Sequence, residues 1–389
     1  MAGVLRFSVG RLVPAAVKPA VLPAVQQKCN ISGKSIRGSQ KLVKPPPYPY
    51  KTKKYGFLQA IFDHTRKRFD DNTKIIVVEG PPAAGKSKFA KELADELEMR
   101  YMPEANMDMY YINSYGYDLR KMDPELPASL KSYDEKDFCR HPKHDNAAAF
   151  QFNMYVLRFW QYVEALEHLL NTGQGVVLDR CCYSDMVFIE AMAKNGYISK
   201  GARSFYHEIR QNTIQELMKP HLVVYLDVSL EQTKKNLKAR ALAHEANSPA
   251  LSDAYLRDIE SFYKQVYLKE ISTHAELLVY DWNEGGDSEV VVEDIERINF
   301  DRFDKHDPKQ KDWRENLNLE WDWNNRRMKY SVQKNILEGL FNVPRLDVPE
   351  VLVNAEDSKQ GYDVLETTPG MKYVDGFNPE QGDKVMWKF

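Results

Sequence analysis

A glycine-rich loop near residue 80 is the clearest chemical signal in the sequence. The run Gly80-Pro-Pro-Ala-Ala-Gly85-Lys86-Ser87 fits the pattern G-x-x-x-x-G-K-S/T. Its glycines let the backbone wrap a phosphate, and the helix that follows offers unpaired N–H groups. We expect Lys86 to reach the β- and γ-phosphates and Ser87 to hold the Mg²⁺ of the nucleotide. The loop therefore predicts a nucleotide site that includes Gly80, Gly85, Lys86 and Ser87.

Short apolar runs and helical patterns alternate around this loop, as in proteins with a parallel sheet. Strands are predicted at 74–78, just before residue 101, and at 176–179, 222–227 and 277–280, with helices that include 150–170 and 255–271. This alternation predicts an α/β fold with a parallel sheet of about five strands, covered by helices on both faces. Ligands then bind beyond the carboxyl ends of the strands, where Glu104, Asp179 and Arg180 fall.

From about residue 72 to residue 300 the chain resembles the deoxynucleoside kinases, which have a P-loop kinase fold. Besides the loop, the motifs that carry the resemblance are Tyr101-Met-Pro-Glu104, Ala148-Ala-Phe-Gln151, Asp179-Arg180-Cys-Cys-Tyr-Ser-Asp185 and Lys238-Ala-Arg240. The resemblance implies that Glu104 is the general base for a 5′-hydroxyl and that Arg180 assists at the same group. It also implies that Gln151 pairs with a nucleobase and that Asp179 and Arg240 belong to the nucleotide site.

Plainer interpretations of the same residues stay open at this point. Glu104 could be a solvated loop acid, Gln151 could lie on a helix face, and Asp179 with Arg180 could form a structural ion pair. The lid segment also departs from the kinase pattern, because Leu242 stands where the kinases have a second arginine. A lysine such as Lys238 cannot reproduce the bidentate fork of an arginine, so the sequence predicts nucleotide binding without efficient turnover.

The charges of the chain are divided between its two ends. Residues 1–62 contain eleven Lys and Arg but no Asp or Glu, whereas residues 63–389 carry 43 basic and 56 acidic residues, a net charge of −13. The composition of residues 1–40 is typical of a mitochondrial presequence, with a basic disordered tail and a secretory signal as alternatives. Residues 41–71 are interpreted as a basic, proline-rich linker with a lead-in helix.

Composition also excludes several classes of protein. The acidic body argues against nucleic-acid binding. No run of 18 or more uncharged apolar residues occurs, so no membrane-spanning helix is predicted. The chain has 4 cysteines, too few for a disulfide scaffold. No metal cluster is predicted either, and a nucleotide with Mg²⁺ is the only cofactor that the sequence suggests.

Residues 301–389 extend beyond the kinase-like region of residues 72–300. This C-terminal extension holds Trp313, Trp321, Trp323 and Trp387, four of the 6 tryptophans of the chain. Its apolar runs are too scarce for an independent core, and aromatic side chains are enriched at protein interfaces. The extension therefore predicts contact with a partner protein, and the alternative is an arm that wraps its own domain.

Within the kinase family, the chain is most similar to the kinase-like accessory subunits of mitochondrial respiratory complex I. The run from Gly173 to Arg180 and the final residues Gly382 to Phe389 carry this similarity. It implies a non-catalytic subunit, peripheral on the matrix side of the mitochondrial inner membrane, that contacts other complex I subunits and serves assembly or stability. The bound ligand would be a purine nucleotide or deoxynucleotide. The alternative is an active mitochondrial deoxynucleoside kinase that transfers the γ-phosphate of ATP to a 5′-hydroxyl.

Overall fold

A computed structural model describes most of the chain. The described residues are 31–34, 44–300, 307–314, 320–369 and 371–373, with Phe377, Pro379 and Gly382. The predicted presequence lies outside them except for residues 31–34, and so do Trp387 and most of the C-terminal motif.

The described part of the chain contains one parallel sheet of five strands. The strands are β1 (Ile75–Glu79), β2 (Arg100–Met102), β3 (Val176–Asp179), β4 (Leu222–Asp227) and β5 (Glu276–Asp281). Their order is β2-β3-β1-β4-β5, and every neighbouring pair is parallel. The predicted α/β fold is confirmed. Because β1 lies between β3 and β4, the chain leaves the sheet on opposite sides there and opens a crevice above the end of β1.

Helices cover the sheet. In the described residues they are α1 (Phe57–Phe62), α2 (Lys86–Glu96), α3 (Asp108–Tyr111), α4 (Glu135–Arg140), α5 (Ala147–Thr172), α6 (Met186–Lys194), α7 (Lys200–Ile214), α8 (Leu230–Arg240), α9 (Ala243–Ala246), α10 (Asp253–Phe262), α11 (Leu268–Ile271), α12 (Ser288–Glu296), α13 (Lys311–Arg314), α14 (Glu320–Ser331), α15 (Lys334–Gly339) and α16 (Ala355–Thr367). A π-helical turn at Tyr263–Tyr267 separates α10 from α11, so the continuous helix predicted at 255–271 is interrupted. Among these helices, none combines the length and the apolar character that a bilayer crossing needs.

The sheet separates two apolar cores, and β1 contributes to both. Ile75 and Val77 belong to the core that contains α5, while Ile76 and Val78 belong to the core that contains α2. Successive side chains of a strand point to opposite faces, so a strand covered on both sides is apolar throughout. This burial holds β1 rigidly beneath the phosphate loop.

The N-terminal residues 31–34 pack on the body of the protein. Ile31 is buried in the core beside α2, and the backbone N–H of Gly33 donates to the carboxylate of Glu296 at 2.6 Å. The backbone N–H of Ser32 donates to the side chain of Asn72 at 3.0 Å. These contacts stabilise a segment that the sequence assigned to the presequence.

The C-terminal extension returns to the sheet domain and packs on it. The indole of Trp313 donates to the carbonyl of Lys219 at 2.7 Å, and Trp323 is buried in the core that contains α5. Trp321, by contrast, is exposed on α14 and contacts Phe57 of α1 edge to face. In the described residues the extension is therefore mainly an arm on its own domain, with one tryptophan left at the surface.

Candidate nucleotide site

The phosphate loop joins the buried strand β1 to the N-terminus of α2. Gly80 has φ +157°, and a Cβ there would lie 2.7 Å from the carbonyl oxygen of Leu226. Gly85 has φ +82°, in the left-handed region that glycine adopts without strain, and it caps α2. Both glycines are therefore required by the backbone path. This path leaves the first N–H groups of α2 at the crevice, where they can bind a phosphate.

Ser87 and Asp179 lie together at the carboxyl ends of neighbouring strands. The register pairs Val78 of β1 with Asp179 of β3, which brings the two motifs side by side. The Ser87 hydroxyl donates to Asp179 Oδ2 at 2.5 Å, while Asp179 Oδ1 is buried without a hydrogen-bond partner among the described residues. Burial raises the pKa of Asp179 above its ordinary value. Hydroxyl and carboxylate oxygens are ligands that Mg²⁺ accepts, so this pair fits a cation delivered with a nucleotide.

Glu104, which follows β2, lies among three cations. Its carboxylate is 3.6 Å from Lys86 Nζ, 3.2 Å from Arg180 Nη1 and 3.4 Å from Arg158 Nη2. Burial alone would raise its pKa, but the charges of Arg180, Lys86 and Arg158 outweigh that effect and hold the pKa of Glu104 at about 2. The plain interpretation of Glu104 as a solvated loop acid therefore does not fit its surroundings.

Arg180 is held in an uncommon backbone conformation at the end of β3. Its φ is +64°, and its guanidinium donates from Nη2 to the carbonyl of Gly80 at 2.7 Å. Glu79, the last residue of β1, is fully buried 3.9 Å from Arg180 Nε and accepts a hydrogen bond of 3.1 Å from the Tyr263 hydroxyl. Burial raises the pKa of Glu79. Arg180 therefore connects the phosphate loop to the acid at position 104.

Gln151, on α5, is part of a buried polar cluster that is centred on Asp185, the residue before α6. The Gln151 amide nitrogen donates to both Asp185 oxygens, at 3.1 and 3.0 Å, and the Tyr206 hydroxyl donates to Asp185 Oδ2 at 2.7 Å. Arg158 also pairs with Asp185. The Gln151 amide nitrogen is thus engaged with a carboxylate of its own chain.

Two further residues of the site, Arg158 and Glu79, were not predicted from the sequence. Arg158 is the one Lys or Arg of α5 and lies seven residues after Gln151, a spacing that places both residues on one helix face. This signal was present in the sequence. Glu79 carried no comparable signal, because an acid at a strand end is ordinarily solvated and only the packing shows it to be buried.

The lid segment contributes one arginine, at the end of α8. Arg240 Nε donates to Glu245 Oε2 at 2.9 Å, and the Arg240 side chain remains 45% exposed. One turn earlier, the Asn236 amide donates to the phosphate-loop carbonyl of Ala83 at 3.0 Å. Residues four apart lie on one face of a helix, so Arg240 is on the side of α8 that meets the loop.

Together these groups form a phosphate cradle, a cation position and a carboxylate flanked by arginines at the carboxyl end of a parallel sheet. The arrangement has the geometry of the P-loop sites that bind nucleotides in phosphoryl-transfer proteins. The predicted residues Gly80, Gly85, Lys86, Ser87, Glu104, Asp179 and Arg180 meet there, and Gln151 joins them through Asp185 and Arg158.

Comparison with known proteins agrees with this class. The profile of the family Deoxynucleoside kinase matches residues 76–315. NADH dehydrogenase (ubiquinone) 1 alpha subcomplex subunit 10, mitochondrial, of Mus musculus is 35% identical over 86% of this chain and 89% of its own length. The same subunit of Bos taurus is 34% identical over 86% of this chain and 92% of its own length. Deoxyguanosine kinase of Dictyostelium discoideum is 26% identical over 61% of this chain and 74% of its own length.

The chain therefore belongs to the deoxynucleoside kinase family and, within it, to the group of the mitochondrial NADH dehydrogenase (ubiquinone) 1 alpha subcomplex subunit 10. This confirms the family resemblance that the motifs indicated.

Proposed function

We propose that the protein is a non-catalytic accessory subunit of mitochondrial NADH:ubiquinone oxidoreductase, complex I, and that it retains a nucleotide site. The observation that carries this proposal is the identity of 35% along 89% of the length of a complex I subunit. That relatedness extends well beyond the kinase-like region into the C-terminal arm. The role is assembly or stability of the complex, with other complex I subunits as partners.

The electrostatics of the site favour binding over turnover. General base catalysis is most effective when the pKa of the base lies near the working pH. A carboxylate whose pKa is held at about 2 by three cations is a weak acceptor for a hydroxyl proton. The lid arginine, Arg240, is exposed and paired with Glu245, so it is not committed to charge that develops on a transferred phosphoryl group.

The same geometry supports a bound nucleotide. Gly80, Gly85, Lys86 and Ser87 form the cradle, and Asp179 and Ser87 supply oxygens toward Mg²⁺. We assign Gln151 and its partner Asp185 to the nucleobase, because Arg158 connects them to Glu104. The ligand we propose is a purine nucleotide or deoxynucleotide, and its contribution here is to stabilise the folded subunit.

The proposed location is the matrix side of the inner membrane, with peripheral attachment. The basic composition of the first 40 residues supports import into mitochondria. Because residues 31–34 pack against Asn72 and Glu296, we expect the removed segment to end before Ile31.

The test uses cells that lack the protein and that express either the wild-type chain or Glu104→Gln. Detergent-solubilised mitochondria are separated on native gels, and complex I is detected by antibody and by NADH oxidation in the gel. We expect both chains to migrate with complex I and to restore its amount. Migration of the wild-type chain only as a free small species would contradict the subunit role.

A second function, an active deoxynucleoside kinase, is favoured by one observation, the contact of Glu104 with both Lys86 and Arg180. This geometry keeps the acid next to the phosphate cradle. We expect the purified protein to show no phosphorylation of deoxynucleosides by ATP above a Lys86→Ala control. Activity that Glu104→Gln abolishes would establish the kinase and overturn the non-catalytic proposal.

A further inference from the structure

The short helix α1 carries a cluster of exposed apolar side chains. Leu58 is 67% exposed and Phe62 is 85% exposed, and Phe57 and Ile61 are also exposed. Trp321 of α14 extends this surface, because its ring lies 5.5 Å from the ring of Phe57. Contiguous apolar patches of this kind usually mark a surface that contacts a protein or a membrane.

The opposite side of α1 is firmly attached to the body of the protein. Ala60 is buried, and its carbonyl accepts a hydrogen bond of 2.9 Å from the Asn324 amide. Tyr55 is buried just before the helix, and its hydroxyl donates to the carbonyl of Asp63 at 2.9 Å. Because these contacts fix the helix, its apolar side chains cannot fold back into the core and remain presented outward.

Lysines border the apolar cluster on both sides along the chain. Lys51, Lys53 and Lys54 precede α1, Lys67 follows it, and all four are exposed without an ion pair in the part of the chain that the structure describes. The one acid between residues 51 and 69 is Asp63, which is paired with Arg68 at 2.7 Å and with Arg327 at 2.9 Å. The segment therefore presents uncompensated positive charge on a body whose net charge is negative.

We propose that this basic apolar shoulder, the exposed residues of 51–67 together with Trp321, binds the surface of an anionic phospholipid bilayer. Exposed leucine and phenylalanine side chains insert at the boundary between headgroups and acyl chains, and lysines bind the anionic headgroups. A protein partner fits less well, because lysine is depleted at protein interfaces whereas arginine is enriched there. The negative body would turn away from such a membrane, so the charge distribution also sets the orientation.

The proposal is independent of the subunit role, because it can be tested without any other subunit. The mature protein, purified from mitochondria, is sedimented with vesicles of phosphatidylcholine alone or of phosphatidylcholine mixed with phosphatidylglycerol. We expect binding to the anionic vesicles only, and we expect it to weaken as salt is raised. Failure to bind the anionic vesicles at low salt, or equal binding to both kinds of vesicle, would overturn the proposal.

Two pairs of variants locate the binding surface. Leu58→Ser/Phe62→Ser is compared with Ile336→Ser/Leu346→Ser, which replaces side chains that are 60% and 85% exposed elsewhere. We expect at least a tenfold loss of vesicle binding in the first variant and none in the second, since each buried methylene contributes to insertion. Circular dichroism verifies that both variants are folded.

A triple variant tests the role of the charges: Lys51→Gln/Lys53→Gln/Lys54→Gln. Its control is Lys143→Gln/Lys200→Gln/Lys235→Gln, which replaces three exposed lysines outside the shoulder. We expect a loss of about 100-fold in the first triple variant, from roughly fivefold for each lysine near an anionic surface. Equal losses in both would contradict a specific surface. If vesicles do not bind but Leu58→Ser/Phe62→Ser fails to enter complex I on native gels, the shoulder contacts a protein and the lipid proposal is wrong.

Discussion

Two buried arginine clusters in this protein differ in how completely their polar atoms are paired. The first surrounds the phosphate loop and contains Arg158 and Arg180. The second surrounds Arg327 on α14, where the arm packs on the lead-in segment. Arg327 is fully buried, donates to the Asn171 side chain at 2.7 Å and to the Asp63 carboxylate at 2.9 Å, and stacks over the ring of Tyr55.

At the phosphate loop, by contrast, pairing is incomplete. Arg158 Nε, Arg180 Nε and Asp179 Oδ1 are buried without hydrogen-bond partners among the described residues. Buried polar atoms are nearly always paired, so each exception needs an explanation. The cluster at Arg327 stabilises the fold, whereas the cluster at the loop keeps hydrogen-bonding capacity that a bound ligand with its cation can use. All three nitrogens of the Arg327 guanidinium have hydrogen-bond partners, whereas Arg158 Nε and Arg180 Nε have none among the described residues. This difference in guanidinium pairing distinguishes the structural cluster from the candidate binding site.

Among the variants that test this comparison, Arg327→Met should have the largest effect, and that effect is on stability. Removing Arg327 leaves the Asn171 side chain without its donor and leaves Asp63 with Arg68 as its remaining partner. Because Asp63 keeps one cation, we expect a loss of about 3 kcal/mol of the free energy of unfolding, the lower end of the cost of breaking a buried ion pair. Urea denaturation measures this loss. The control is Arg326→Met, which replaces the neighbouring, half-buried arginine. If the variant is still folded but binds nucleotide more weakly, then the Arg327 cluster is not purely structural and the distinction between the two clusters is wrong.

The next effect is expected from Lys86→Ala. Nucleotide affinity should fall roughly tenfold to a hundredfold, because hydrogen bonds to charged groups contribute about 1.5–3 kcal/mol. Stability without nucleotide should change little, since Glu104 keeps its two arginine partners. Calorimetric titration with ATP and Mg²⁺ measures the affinity, and Lys88→Ala, at a position 85% exposed, is the matched control. Unchanged affinity in Lys86→Ala would remove this residue from the proposed site.

A pH effect of intermediate size is expected at Glu104. Its pKa is lowered from 4.5 to about 2 in the folded protein, so its contribution to stability is fully present above its unfolded pKa. That contribution is lost as the pH falls from about 5 toward 2. Near neutral pH, Glu104→Gln should therefore be less stable than wild type by roughly 1–3 kcal/mol, and this gap should close in acid.

Urea denaturation across this pH range provides the measurement. The control is Glu92→Gln, at an acid on α2 whose side chain is 44% exposed. If the difference between wild type and Glu104→Gln does not depend on pH, then the three cations do not hold the carboxylate ionised in the way that the contacts indicate.

The smallest effect is expected from Asn236→Ala, which removes the hydrogen bond between α8 and the phosphate loop. A single neutral hydrogen bond contributes about 1 kcal/mol, so the nucleotide affinity should fall less than tenfold. Lys235→Ala, on the exposed side of the same helix, should have no effect. A loss as large as that of Lys86→Ala would show that the lid helix contributes more to binding than its one contact suggests.

Much of the fold could be predicted from the sequence because its signals are local. The strands at 176–179 and 222–227 were predicted with the observed bounds, since a buried parallel strand is a short, continuous apolar run. The helix predicted at 255–271 was interrupted by the π-helical turn at Tyr263–Tyr267. That turn includes Tyr263, whose hydroxyl bonds to Glu79 from a distant part of the chain, and no local pattern indicates such a contact.

The residues of the site also fall into two groups, those that a local motif predicts and those whose partners only the packing reveals. The loop motif by itself determined the residues of the phosphate cradle, because its glycines and its Lys-Ser pair act within a few residues of one another. Only the tertiary structure decided that Glu104 is surrounded by three cations, that Gln151 is bonded to Asp185 and that Arg240 is paired with Glu245. The state of a charged side chain depends on burial and on partners from other elements. Those partners are brought together by the packing of the sheet and its helices, which the order of residues along the chain does not show.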